Sequence, residues 1–257
     1  MAPPVTTRPA PHPTPLHPIE RRFGAAMIGL ESAQKPGNGV PAYTRWVNRR
    51  LARFAAAAAY SAGWSPNAVT AASAAMSFAA LWIMVAVPQT APLGIAVGCL
   101  LAAGYVLDSA DGQVARLGRR GSPAGEWLDH VVDAVRTPAL HLAVLVGLYS
   151  VPGIGTWPLL VALGYCLVSV GEFMSQILAE QLSGRGNPGE PPPAASGVGK
   201  SLILLPTDNG TLCWIFLLWG MPSLFVWVYG ALFLLNTVHT AISMRRKYVR
   251  LTAHAAR

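Results

Sequence analysis

DSADGQVARLGRRGSPAGEWLDHVVD, residues 108–133, holds five of the chain's 11 acidic residues: Asp108, Asp111, Glu126, Asp129 and Asp133. Long apolar runs flank it on both sides, a setting in which an ionised side chain is costly unless it is paired or functional. In a helix, Asp108 and Asp111 stand three apart and Asp129 and Asp133 four apart, so each pair shares a face. Two such helices facing each other aim four carboxylates at one point. Unpaired, those charges repel and raise one another's pKa values. One divalent cation, or two, removes the conflict; hard ions of the Mg²⁺ type favour oxygen ligands and keep waters and substrate phosphates.

The small residues of the stretch leave room for a ligand. Gly112 and Ala115 bare the helix beside the first acidic pair, and Gly125 does so where the second helix begins. Arg116 lies about two turns beyond Asp108 on nearly the same face, placed to hold a phosphate. Helix packing is the competing use of Gly and Ala in a membrane helix. As a whole, Asp108-x2-Asp111-Gly112-x2-Ala115-Arg116-x8-Gly125-x3-Asp129-x3-Asp133 resembles the signature of the CDP-alcohol phosphotransferase family at every defined position.

That resemblance implies an enzyme in which the hydroxyl of an acceptor alcohol displaces CMP from a CDP-alcohol, forming a phosphodiester. It makes Asp108, Asp111, Asp129 and Asp133 ligands for Mg²⁺ or Mn²⁺, with two ions expected, and makes Asp133 the general base. It places Gly112, Ala115, Arg116, Ser122 and Gly125 on the nucleotide side. Pro66-Asn67-Ala68-Val69-Thr70 resembles a second family segment, Pro-Asn-x-x-Thr, which adds Asn67 and Thr70 to that side. Members that use inositol phosphate carry a basic cluster near the cytoplasmic end of the fourth span. Here Glu172, Gln176, Glu180 and Gln181 stand there, which argues against that acceptor. Arg136, Lys200 and Asp208 are the nominees for acceptor binding.

Composition points to a membrane. Of 257 residues, 53% are hydrophobic and only 12% charged, about half the charged share of a soluble protein. The net charge of +8 then reads as positive-inside loops and contact with anionic lipid, not as a nucleic-acid surface. Cys99, Cys166 and Cys213 all fall in apolar runs and read as small buried residues.

Residues 1–40 open on MAPPVTTRPAPHPTPLHP, a proline-rich disordered tail in which Ile19–Leu30 can form a short helix. His12 and His17 are solvated residues of that tail. Residues 41–63 alternate Arg45, Arg49, Arg50 and Arg53 with Tyr43, Trp46, Val47, Leu51 and Phe54, the pattern of a juxtamembrane amphipathic helix. Ser65 with Pro66 marks a helix start. An all-α bundle of six membrane-spanning helices follows over 64–250: residues 70–87, 91–107 (its helix continuing to about 117), 127–149, 157–179, 202–219 and 223–243. A proline- and glycine-rich loop fills 182–200, and a short tail, 251–257, ends the chain.

With both termini inside, the turns at 88–90, 150–156 and 220–222 face outward and contain no Lys or Arg. The positive-inside rule then places the acidic site at the cytoplasmic face of the cell membrane. The expected partners are a CDP-alcohol, such as CDP-diacylglycerol, an acceptor alcohol and membrane lipid, making phospholipid the product. Bundle faces rich in Gly and Ala permit a homodimer. A divalent-cation transporter or channel is the competing class, because carboxylates inside a membrane also mark ion paths. Against it, the sequence shows no acidic ladder leading to the other face.

Overall fold

The computed structural model describes residues 18–32, 39–182 and 197–255, and no strand occurs among the described residues. Its helices in chain order are α1 (Pro18–Ser32), α2 (Arg49–Ser61), α3 (Pro66–Ala86), α4 (Ala91–Leu117), α5 (Pro123–Tyr149), α6 (Trp157–Leu182), α7 (Val198–Ile203), α8 (Asn209–Ile215) and α9 (Pro222–Ala255). A π-helical turn over Thr44–Asn48 leads into α2. Among the described residues, α3, α4, α5, α6 and α9 are long and apolar enough to cross a membrane. The molecule is thus an all-α polytopic membrane protein. The start of the chain to residue 17, with His12 and His17, lies outside the described residues, as do residues 33–38, 183–196 and 256–257.

Local chemistry sets the helix starts. Ser65 Oγ accepts from the Ala68 N–H with Pro66 in the first helical position of α3, and Ser122 Oγ accepts from the Gly125 N–H with Pro123 opening α5. Each serine satisfies a donor that the helix itself leaves unbonded. The helix at residues 19–30 extends over Pro18–Ser32 and is docked: Ala26 and Leu30 are buried with Ala52, Ala56 and Ala57 of α2 and Ala110 and Val114 of α4.

The continuous fifth span expected over 202–219 does not form. Pro206 has no N–H to continue a helix, so the chain makes a 3₁₀ turn over Leu205–Thr207, restarts with Asp208 capping α8, and finishes in a second 3₁₀ turn over Phe216–Leu218. The broken segment still runs antiparallel to α4. Asp208 and Tyr105 both bond to Thr44 at one end. At the other, a Cβ on Gly94 would come within 2.9 Å of the Phe216 carbonyl oxygen.

Large aromatics fill the end of the bundle away from the acidic residues, where Phe216, Trp219, Phe225 and Tyr229 are buried with Met84, Val144 and Leu148. Gly147 is required there, because a Cβ would sit 2.5 Å from the Trp219 ring. The other end packs on alanine, bringing the backbones of α1, α2 and α4 close, and a mouth opens there between α3, α4 and α5. Asp111, Glu126 and Asp129 line that mouth.

Candidate active site

Asp108 lies in the last three turns of α4, and Asp129 and Asp133 in the second and third turns of α5. The close passage of α3 over α4 helps set their facing. A Cβ on Gly104 would come within 2.6 Å of Ser77 Oγ, and Ser73 Oγ donates to the Gly104 carbonyl at 2.8 Å. As a result, one carboxylate oxygen from each of Asp108, Asp129 and Asp133 lies within 4.8 Å of the others.

Asp111 stands outside this group. Its Oδ2 accepts the Thr70 hydroxyl at 2.6 Å and the side chain is buried, so it faces α3 while still lining the cavity that Asp129 lines. Of the four aspartates on the two acidic faces, three therefore converge and the fourth lies alongside, held by Thr70.

Arg136, nominated for acceptor binding, bonds to the acidic cluster. Its Nη2 donates to Asp108 Oδ1 at 2.7 Å and also to Asp133 Oδ1, and its Nη1 donates to Ser73 Oγ at 3.1 Å. Three carboxylates converge here with the Arg136 guanidinium bonded to two of them, a concentration of negative charge that suits a divalent cation. The donor set is all oxygen, with no His or Cys in the cluster, and so fits a hard ion such as Mg²⁺ or Mn²⁺.

Two cavities flank the cluster. The first, about 610 Å³, is within the range of small-molecule sites. All seven residues assigned to the nucleotide side line it: Asn67 and Thr70 from α3, Gly112, Ala115 and Arg116 from α4, Ser122 at the cap of α5, and Gly125 in its first turn. Gly125 lets α3 approach: a Cβ there would lie 3.2 Å from both Asn67 Oδ1 and Ser122 Oγ. The Arg116 guanidinium folds back toward Gly112, 3.4 Å from where a Cβ would be. The N-terminus of α5 opens on the same cavity, adding the partial positive charge of its free N–H groups.

Arg119 and Arg120 line this cavity too, which the motif did not indicate. The α4 helix ends in a turn with Arg119 at φ 50°, where the Arg120 N–H bonds to the Ala115 carbonyl at 2.9 Å. A left-handed residue just past a helix end is a common terminator, though glycine usually fills it. The run Gly118-Arg119-Arg120-Gly121 after an acidic helix was the available signal.

The second cavity, about 350 Å³, runs from Arg136 into the bundle and is also lined by Asp208. The Asp208 carboxylate is engaged at both oxygens: it accepts from the Thr44 N–H (2.7 Å), the Thr44 hydroxyl (2.7 Å) and the Gly210 N–H (3.0 Å). It caps α8 and ties that helix to the chain entering α2. The Tyr43 ring packs over Gly210, and burial pushes the Tyr43 phenol above its usual pKa. Lys200, the third acceptor nominee, is exposed on α7 and does not line the cavity. His141, deeper in, bonds through Nδ1 to the Tyr229 hydroxyl at 2.7 Å and through Nε2 to Ser169 Oγ at 2.9 Å, an interhelical bridge.

The family model described as CDP-alcohol phosphatidyltransferase matches residues 64–242, from the turn before α3 into α9. No curated protein matches the chain.

Proposed function

The chain belongs to the CDP-alcohol phosphatidyltransferase family, and from that premise we propose that it transfers the phosphatidyl group of CDP-diacylglycerol to an acceptor alcohol, releasing CMP. The family activity is transfer of a phosphate-linked group from a CDP-alcohol; the diacylglycerol donor is inferred from the five apolar helices around the site. The observation that carries the reading is the group of three aspartates set between two cavities, one of them lined by every nucleotide-side residue of the motif.

Each residue then has a task. Arg116, Arg119 and Arg120, with the N-terminus of α5, hold the diphosphate of the donor. Gly112 and Gly125 leave the backbone bare where the cytidine enters. Asp108, Asp129 and Asp133, with Asp111 beside them, are the residues that would hold Mg²⁺ or Mn²⁺. When bound, the ion supplies positive charge to the diphosphate and to the leaving CMP. The acceptor hydroxyl attacks the phosphorus that bears the lipid alcohol. A new P–O bond forms, the P–O bond to CMP breaks, and CMP departs with the electron pair. Asp133 takes the hydroxyl proton as general base. Arg136 holds Asp133 and Asp108 in place between turnovers.

An ion path across the membrane is less well supported, because the far end of the bundle is filled by Phe216, Trp219, Phe225 and Tyr229. The arginines of α2, of the α4–α5 turn and of the end of α9 support a cytoplasmic site, and a cell-membrane location goes with it. The test is CMP release from CDP-diacylglycerol by purified protein across a panel of acceptor alcohols, with Mg²⁺ or Mn²⁺ and with chelator. Metal-dependent CMP release with a lipid product of matching mass supports the proposal; none with any acceptor refutes it.

A further inference from the structure

We propose that the second cavity binds the acceptor as a small uncharged polyol and that the Thr137 hydroxyl is one of the groups that holds it, a proposal that rests on the transferase reading above. Position comes first. Arg136 lines this cavity while bonding to Asp108 and Asp133, so its guanidinium stands between the cavity and those two carboxylates. The nucleotide cavity reaches the cluster from the side of Asp129 and Asp111. In an in-line displacement at phosphorus, the entering and leaving oxygens lie on opposite sides. With the nucleotide on one flank, the entering hydroxyl comes from the other. Thr137 lines the second cavity one turn after Asp133, on the same face of α5.

Charge then selects the ligand. Among the described residues, the charged groups lining the cavity are Arg136, Glu172 and Asp208, one cation against two carboxylates. The Arg136 guanidinium serves two aspartates and Ser73. A phosphorylated acceptor therefore meets a lining of net negative charge whose one cation is already engaged. An amine-bearing acceptor meets a different obstacle. Glu172 accepts the Thr240 hydroxyl at 3.0 Å and lies 3.5 Å from His239 Nδ1, while Asp208 accepts three hydrogen bonds from Thr44 and Gly210. The net negative lining attracts an ammonium group, but a direct ion pair would have to compete with the donors these carboxylates already hold and to repay the lost hydration.

Neutral hydroxyls meet the reverse situation. The Thr137 hydroxyl lines the cavity, half-buried, with no hydrogen-bond partner among the described residues, and the exposed Asn209 side-chain amide lines it too. Leu140 and Phe173 supply apolar surface for the C–H edges of a polyol. In the reaction, one polyol oxygen forms the new bond to the donor phosphorus, the P–O bond to CMP breaks, and the polyol proton passes to Asp133.

The experiment has two arms on the purified full chain with Mn²⁺. The first titrates CDP-diacylglycerol by calorimetry, without acceptor. The second follows CMP release with glycerol and myo-inositol, against sn-glycerol 3-phosphate and inositol 1-phosphate, and against serine and ethanolamine. The expected result is donor binding, with release stimulated at least tenfold by a neutral polyol and less by its phosphorylated or amine-bearing counterparts. Thr137→Val, which keeps the shape and removes the hydroxyl, should raise the polyol KM about tenfold, the worth of one hydrogen bond. Its donor Kd should stay unchanged, and Thr137→Ser should restore KM. Donor binding followed by preference for a phosphorylated or amine-bearing acceptor, or by no polyol stimulation, overturns this proposal alone, as does an unchanged KM in Thr137→Val. Failure to bind donor overturns the transferase reading, and this proposal with it.

Discussion

Replacing Arg136 with Met removes the guanidinium that bonds to Asp108 and Asp133 and leaves most of the side chain's volume in place. The consequence follows from distances. Asp108, Asp129 and Asp133 offer oxygens within 4.8 Å of one another, and two of these residues lose their ion pair. At an effective dielectric constant of about 20, two like charges at that distance repel by about 3.5 kcal/mol. Loss of one partner from a partly buried ion pair costs about 3–5 kcal/mol. The side chains of Arg136 and Asp108 are only 17% exposed, so water screens little of this. In chelator, Arg136→Met should therefore lower stability by roughly 3–5 kcal/mol, a fall in Tm on the order of 10 °C. Added Mn²⁺ should return most of that loss, because the ion meets a site that is more negative by one charge and no longer has to compete with the guanidinium. The assay is thermal unfolding in detergent, with chelator and across a Mn²⁺ titration, for both proteins. The variant should show the larger rise in Tm with metal. If its Tm in chelator matches that of the parent protein, or if Mn²⁺ lifts both equally, the account of a cation site built on these three aspartates is wrong.

Three other substitutions separate the remaining roles. Asp133→Asn should abolish CMP release while leaving the protein folded in the presence of Mn²⁺; turnover above a tenth of the parent rate would remove Asp133 as base. Arg116→Ala should weaken donor binding ten- to a hundredfold, roughly the worth of a charge-assisted hydrogen bond to phosphate, read as Kd by calorimetry; an unchanged Kd would place Arg116 outside the site. Asp208→Ala removes the cap of α8 and strands the Thr44 N–H, and should cost about 3 kcal/mol while sparing donor affinity. Limited proteolysis near residues 204–210 should accelerate with it, and an unaltered cleavage rate would refute the tie between Asp208 and Thr44.

What could be read from the chain alone follows from what is expensive in a membrane. Aspartates inside apolar runs demand a reason for being there, so Asp108, Asp111, Asp129 and Asp133 stood out by cost, and helical spacing put them on facing sides. Cost does not reveal which partner each will find. Thr70 is 41 residues from Asp111, and its hydroxyl draws that carboxylate away from the other three. Arg136 was the more legible case, since a cation three residues after Asp133 lies one turn away on the same helix. Its reach to Asp108 depended on the α4–α5 approach, which no local pattern encodes. The fifth segment failed for a different reason. Its residues are apolar enough to span, and hydropathy does not register that Pro206 lacks a donor or that Asp208, followed by Asn209 and Gly210, reads as a helix cap. The break has a use that the sequence could not display. It frees Asp208 to meet Thr44, 164 residues earlier in the chain, so the helix lying ahead of the bundle is bonded to the wall of the second cavity. A charge that looked like a ligand for substrate is thus committed to architecture. The cavity is left with its charges held by protein partners, and on the proposal above that is what favours a neutral guest.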